Sequence, residues 1–235
     1  MRLDKLLSTL HYGSRKEVKE DIKHGYIRVN DAIVSQPDYH IDPNHDKISY
    51  HNEIIYFNNS IIIMMHKPQG VVSANHDNVH QTVMDLLDEK YQRLDVHVAG
   101  RLDIDTEGLL LLTNDGNIIH KLIHAKKHIE KVYEVTTKNT ISNIEDLRKP
   151  MTLLDGNNKP YQPKSPRIIT HQNNTATIAI TEGKFHQVKR MFNAIGHTVV
   201  YLKRTRIHTL KLDPNLSAGE YRVLTDSERA QLLDV

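Results

Sequence analysis

The chain of 235 residues contains no cysteine. That excludes disulfides, thiolate zinc sites and a cysteine nucleophile. No apolar run approaches the length of a membrane span; the longest, around Ile61 to Met65, is strand-sized. The opening Met1-Arg2-Leu3-Asp4-Lys5 is polar and lacks the apolar region of a signal peptide. There is no Gly-rich phosphate loop of either common nucleotide-binding type and no His-Glu-x-x-His string. No one sign of charge dominates, with 31 Lys and Arg against 29 Asp and Glu and a net charge of +2. The simple reading is a soluble, cytoplasmic protein without a membrane anchor.

Hydrophobic residues make up 38% of the chain, enough for a core. The length suits one large domain, or a small one joined to a medium one. Net charge says little here, but its distribution says more. Met1 to Asn30 carries seven Lys/Arg against four Asp/Glu, and Gly183 to Leu212 carries seven and none. Asp85 to Asp115 leans the other way, eight acids against three bases. Basic blocks near both ends suit a polyanion; solvated faces are the plain alternative.

Leu3 to Leu10 reads as a short helix with its leucines on one face. Ser14-Arg15-Lys16-Glu17 is a capping box opening a second helix that Gly25 ends. Tyr26 to Asn30 alternates like a strand, Asn30-Asp31 suits a turn, and Lys47 to Tyr50 is a further strand. Asn52 to Ser60 reads as a linker. Ile61 to Met65 is a strand, and Lys67-Pro68-Gln69-Gly70 a turn. Thr82 with Asp85 suggests a capped helix over Thr82 to Asp88. Helices are also expected at Asn117 to His124, at His186 to Ile195 and after Thr225, where Glu228 completes a box. Tyr133 to Thr137, Arg167 to Ile169 and Thr175 to Thr181 alternate like strands. The fold class expected is α+β: a small helix-helix-strand domain over 1–58 with its linker, then a mixed, largely antiparallel sheet with flanking helices over 59–235.

The densest chemistry is Gly100-Arg101-Leu102-Asp103-Ile104-Asp105-Thr106-Glu107-Gly108, followed by the apolar run Leu109 to Leu112. The run fits a strand buried on both faces. Two glycines, an arginine and three acids beside it suit a loop held by a rigid strand, although on its residues alone an acidic turn is the plainer reading. Asp103 and Asp105 as a glycosidase pair fit poorly. At i and i+2 they share a face, whereas such enzymes place carboxylates on opposite sides of the scissile bond. His120, His124 and His128, and His76 with His80, are spaced four apart. If helical, each set forms a stripe able to bind zinc, but a solvated or RNA-facing stripe fits better and no metal is expected.

Two resemblances bear on this. Arg2-Leu3-Asp4-Lys5-Leu6-Leu7, Ser14-Arg15 and Gly25 to Asn30 resemble the small RNA-binding domain of the ribosomal protein S-four type. The string from Gly100 to Gly116 closely resembles the signature of ribosomal RNA pseudouridine synthases that carry such a domain. Lys67 to Ser73, Glu130 to Val135 and Glu182 to Phe192 match further motifs of that family, in its order. Leu102 to Gly108 and His186 to Arg190 look most like the branch modifying one uridine of 16S small-subunit rRNA.

The resemblance implies Asp103 as catalytic carboxylate, Tyr133 as the tyrosine packing on the target base and Lys189 as the basic partner of the aspartate. Lysine there gives a point charge without a bidentate fork. Arg101 is expected to hold the RNA or fill the space of the flipped base. Arg2, Lys5, Arg15, Lys16, Lys19 and Arg190 are expected to contact RNA. The implied partner is 16S rRNA or a partly assembled small ribosomal subunit, with no cofactor, and the protein is expected to be a monomer. A 23S rRNA target, or an idle RNA-binding assembly factor on the same scaffold, are the alternatives. His66 and His208 depart from the family pattern, which has asparagine and glycine there.

Overall fold

A computed structural model of the protein describes residues 1–42, 45–55, 60–123 and 128–234. The chain divides into two compact units, one of Met1–Ser60 with Leu87–Val96, the other of Ile61–Leu86 with His97–Val235.

In the first unit, α1 (Leu3–Thr9) buries Leu3, Leu6 and Leu7. Helix α2 (Arg15–Lys23) opens on the expected capping box, with the Ser14 amide donating to Glu17 Oε2 at 2.8 Å. Gly25, at φ +78, turns the chain out of the helix. Strands β1 (Ile27–Val29), β2 (Ala32–Ile33), β3 (Ile48–Tyr50) and β4 (Glu53–Ile55) form an antiparallel sheet in the order β2-β1-β3-β4. Asn30-Asp31 and His51-Asn52, all four at positive φ, close two-residue hairpins of the kind that matches strand twist. The second hairpin corrects the linker expected from Asn52: its start is β4, while 56–59 lie outside the described residues. Leucines of α1, Val18 and Ile22 of α2, and Ile27, Val29, Ile48 and Ile55 of the sheet make the core. Residues 87–96, with α3 (Glu89–Gln92), belong to this unit. Arg93 donates to the His11 carbonyl at 3.2 Å and lies over the Tyr12 ring.

The second unit is a mixed sheet with few helices. Its elements are β5 (Ile62–Lys67), β6 (His97–Val98), β7 (Glu107–Thr113), α4 (Gly116–Ile123), β8 (Lys131–Thr137), β9 (Leu153–Leu154), β10 (Pro160–Tyr161), β11 (Arg167–Gln172), β12 (Thr175–Ile180), α5 (Gln187–Ala194), β13 (Val199–Ile207), β14 (Leu210–Lys211), β15 (Tyr221–Val223) and α6 (Asp226–Leu233). The main order is β11-β12-β8-β13-β7-β5-β15. Only β7 and β13 pair in parallel among these neighbours. Leu109 to Leu112 are fully buried, as a strand covered on both faces requires. One core joins β8 and β12 to Val188, Met191 and Phe192 of α5; the other joins β5 and β7 to α4 and α6.

Thr82 to Asp88 is not a helix. The reciprocal hydrogen bonds form, Thr82 N to Asp85 Oδ2 at 2.7 Å and Asp85 N to Thr82 Oγ1 at 3.4 Å, but they close a turn. A box satisfies the first amides of a helix and equally those of a lone turn, and Thr82 bridges to Val72 instead.

Candidate active site

One row of residues crosses the middle of the large sheet. Lys67 of β5 pairs with Gly108 of β7, Gly108 with Arg204 of β13, and Arg204 with Tyr133 of β8. Gly108 is obligatory in that row. Its φ is +113, and a Cβ there would lie 2.3 Å from the Arg204 carbonyl oxygen. The segment Arg101 to Thr106 enters β7 directly above this row and carries Asp103.

Lys67 fixes that segment. It is completely buried, and its ammonium donates to the carbonyls of Asp103 at 3.1 Å, Ile104 at 3.4 Å, Thr106 at 2.9 Å and Pro68 at 2.9 Å. Burial pulls its pKa from 10.5 down to about 8, against the charges of Asp103 and Asp105, which favour the ammonium. Arg204, also buried, donates from Nε to the Leu109 carbonyl at 2.7 Å and from Nη1 to that of Arg101 at 3.4 Å. Two buried cations therefore hold the backbone on either side of Asp103. Ser73 Oγ adds a bond to the Leu102 carbonyl at 2.9 Å.

The Asp103 carboxylate accepts from Lys189 Nζ at 3.0 Å. Lys189, on the first turn of α5, also donates to Asp105. Burial raises the Asp105 carboxyl, but the Lys189 hydrogen bond and charge outweigh it, and the group lies below the usual carboxylate range. His186 Nε2 lies 3.6 Å from the other Asp103 oxygen. Tyr133, almost buried, lines the same narrow cleft as Arg101, Asp103 and His186. The volume of the cleft is about 60 Å³. A carboxylate within hydrogen-bond reach of a fixed ammonium and beside an aromatic ring suits nucleophilic chemistry.

A larger cavity, of about 610 Å³, is lined by Val132, Glu134, Lys203 and Arg206. Val132, Glu134 and Lys203 alternate along β8 and β13 with Tyr133 and Arg204, so they face the other side of the sheet, and a bulge between Arg204 and Arg206 turns Arg206 to that side as well. Three of the four Lys and Arg that line it are matched: Lys203 by Glu107 at 3.2 Å, and Arg206 together with Arg167 by Glu130.

Asp103, Tyr133, Lys189 and Arg101 thus come together in one place. Arg190 does not present a free cation there: it donates to the Leu154 and Asp155 carbonyls. Lys5, Arg15, Lys16 and Lys19 are exposed on α1 and α2, whereas Arg2 forks onto Asp4 at 3.0 and 2.8 Å. His76 and His80 lie in irregular backbone, so their helical stripe does not form, and His124 lies outside the described residues. Among the described residues no group of three or more His, Asp or Glu is placed to hold a metal. No helix among them is long and apolar enough to cross a membrane. Lys67, Arg204 and His186 are the site residues that sequence reasoning missed. The signal for Lys67 was a lysine two residues past the apolar run Ile61 to Met65 and just before a turn; Arg204 sits among several cations of β13 with nothing to single it out.

Comparison with known proteins names the class to which this fold and cleft belong. The RNA pseudouridylate synthase family matches residues 61–194, and the S4 domain matches residues 1–46. The chain belongs to the RNA pseudouridylate synthase family. It is 45% identical over 231 residues to an uncharacterized RNA pseudouridine synthase of Bacillus subtilis (strain 168), covering 97% of this chain and 96% of that one. It is 37% identical over 236 residues to ribosomal small subunit pseudouridine synthase A of Escherichia coli (strain K12), covering 99% and 100%. A crystal structure of a pseudouridylate synthase superposes with a TM-score of 0.68 at 34% identity, covering 99% of this chain and all of that one. The protein is an RNA pseudouridine synthase, an isomerase with an S4 domain.

Proposed function

We propose that this enzyme converts one specific uridine of 16S small-subunit rRNA to pseudouridine, on free RNA or on a partly assembled small subunit, with Asp103 as its catalytic carboxylate. The observation that carries this reading is the Asp103 carboxylate held 3.0 Å from Lys189 in the cleft that Tyr133 lines. The target branch is supported by the 37% identity, over nearly all of both chains, to proteins named ribosomal small subunit pseudouridine synthase A.

The reaction breaks the bond from ribose C1′ to uracil N1 and forms one from C1′ to C5. The C5 proton leaves and N1 gains one, so the change is redox-neutral and calls for no cofactor. Asp103 adds to the sugar or the base and leaves again. Lys189 donates to its carboxylate and fixes its position. Tyr133 packs on the extruded base. Lys67 and Arg204 are positioning residues, acting through the backbone of the Asp103 loop. Arg101 holds the RNA at the rim, and Lys5, Arg15, Lys16 and Lys19 contact phosphates.

The test is tritium release from rRNA labelled at uridine C5. Release from small-subunit RNA or particles, and not from large-subunit RNA, is expected. Release from large-subunit RNA alone would move the target to 23S rRNA. Binding without release from either would make the chain an idle RNA-binding factor.

A further inference from the structure

The mechanism above leaves one wall of the cleft unused. Phe185 is half exposed, yet its ring is not loose. The His186 imidazole stacks on it, with centroids 3.7 Å apart and planes 22° apart. The Arg190 guanidinium lies 5.0 Å from the Phe185 centroid and is itself anchored on the β9–β10 hairpin through the Leu154 and Asp155 carbonyls. Gly156 of the same hairpin backs the ring, since a Cβ there would meet Phe185 Cβ and Cγ at 3.4 and 3.5 Å. Arg190 is thereby given a use: it braces an aromatic stack.

His186 has φ +51, in the left-handed region that non-glycine residues seldom occupy. This conformation, immediately before α5, accompanies a ring that lies back on Phe185 while Nε2 sits 3.6 Å from Asp103. The imidazole remains 39% exposed. An exposed aromatic pair forgoes burial, and this one is held in place by Arg190 and the β9–β10 hairpin. Such features persist where the surroundings enforce them, at sites that handle ligands. An aromatic ring in place beside the reacting carboxylate of an RNA enzyme suits a nucleobase, because every base offers a π-face and stacking tolerates any sequence.

We propose that the Phe185–His186 stack is a second nucleobase-binding surface, on which the base next to the target uridine lies while the target occupies the cleft. The proposal rests on the pseudouridine synthase reading above. Extruding a uridine strips its neighbour of a stacking partner. The imidazole, one nucleotide along from Asp103, replaces that partner and offsets part of the cost of flipping. The surface therefore contributes to capture and positioning of the RNA, and Asp103 does the chemistry.

Two variants and one probe test this. His186→Asn removes the ring with a residue that tolerates left-handed backbone, and Phe185→Leu keeps apolar bulk without the π-face. Steady-state tritium release from C5-labelled rRNA should show KM raised roughly 5- to 150-fold in His186→Asn, with kcat moved far less, and a smaller rise in Phe185→Leu. Once the modified uridine is located in the product, 2-aminopurine is placed on each side of it in turn. Wild-type protein should quench the probe strongly on one side, a result that needs no variant to fold. Unchanged KM in both variants with no quenching on either side would overturn the proposal. So would a fall in kcat at unchanged KM, which would put His186 in the chemistry. Absence of tritium release from any rRNA by the wild type would instead remove the enzymatic reading beneath it.

Discussion

Replacing Lys67 with methionine isolates what the buried ammonium contributes. The variant keeps the aliphatic stem and removes four donations, three of them to carbonyls at 2.9 to 3.1 Å. Hydrogen bonds from a charged donor contribute about 1.5–3 kcal/mol each. Against them stands the cost of burying the charge, visible in a pKa drawn down to about 8, or roughly 3 kcal/mol at about 1.4 per unit. The net loss is therefore about 2–6 kcal/mol, which spans the range for one partner removed from a buried charged network. A unit of this size loses about 2–4 °C of Tm per kcal/mol, so the transition of the larger unit should fall by roughly 10 °C. The loop bearing Asp103 loses its anchor, and a shift of about 1 Å in a reacting group costs on the order of 100-fold in rate. Calorimetry gives the first number and single-turnover tritium release, well below the lowered Tm, the second. RNA affinity should stay within about threefold, since Lys67 is fully buried and touches only backbone. Wild-type turnover in a folded Lys67→Met protein would refute the anchoring role.

Other expectations follow from the same geometry. Gly108→Ala drives a Cβ into the Arg204 backbone at 2.3 Å and strains a φ of +113; a loss of about 3 kcal/mol or more is expected in urea unfolding, and less than 1 would contradict the close packing of β7 on β13. Raising pH past about 8 should neutralise Lys67 and slow single-turnover release. Because its folded pKa lies below the unfolded value of 10.5, the unfolded chain binds the extra proton between about 8 and 10.5, so this group makes stability rise with pH there. Lys131, likewise pushed to about 8, chiefly by burial and further by Arg204, acts in the same direction. Activity lost over that window without a fall in Tm is expected, and a parallel fall in both would contradict it. Lys16→Ala with Lys19→Ala should reduce the slope of log affinity against log salt by about one per residue; an unchanged slope would move the phosphate contacts elsewhere.

Periodicity and caps carried most of the fold. Leu3, Leu6 and Leu7 face one core, Ser14 and Thr225 open their helices with the boxes they spell, and Leu109 to Leu112 fill a strand buried on both faces. What failed was local signal with more than one structural outcome. The Thr82–Asp85 pair satisfies a turn as well as a helix. His51-Asn52 closes a hairpin without the glycine that usually marks one. No local pattern shows that residues 87–96 join the first unit, because that depends on Arg93 meeting Tyr12 across distant sequence. At the site, Asp103 was singled out by its own string, and Tyr133 and Lys189 only by the order of motifs. Lys67 and Arg204 serve through backbone carbonyls, contacts that leave no mark on the partner's residue type. His186 was hidden because its placement depends on a left-handed backbone that histidine does not advertise.

The central claim is that Asp103 does the chemistry and leaves RNA capture to other residues. The direct measurement is Asp103→Asn, nearly isosteric, assayed for single-turnover tritium release from small-subunit rRNA and for RNA affinity on the same preparation. Release should fall by more than about 1,000-fold while affinity stays within about threefold. Release within tenfold of wild type, or a matching loss of affinity, would show that the aspartate is structural and that the reaction is carried elsewhere.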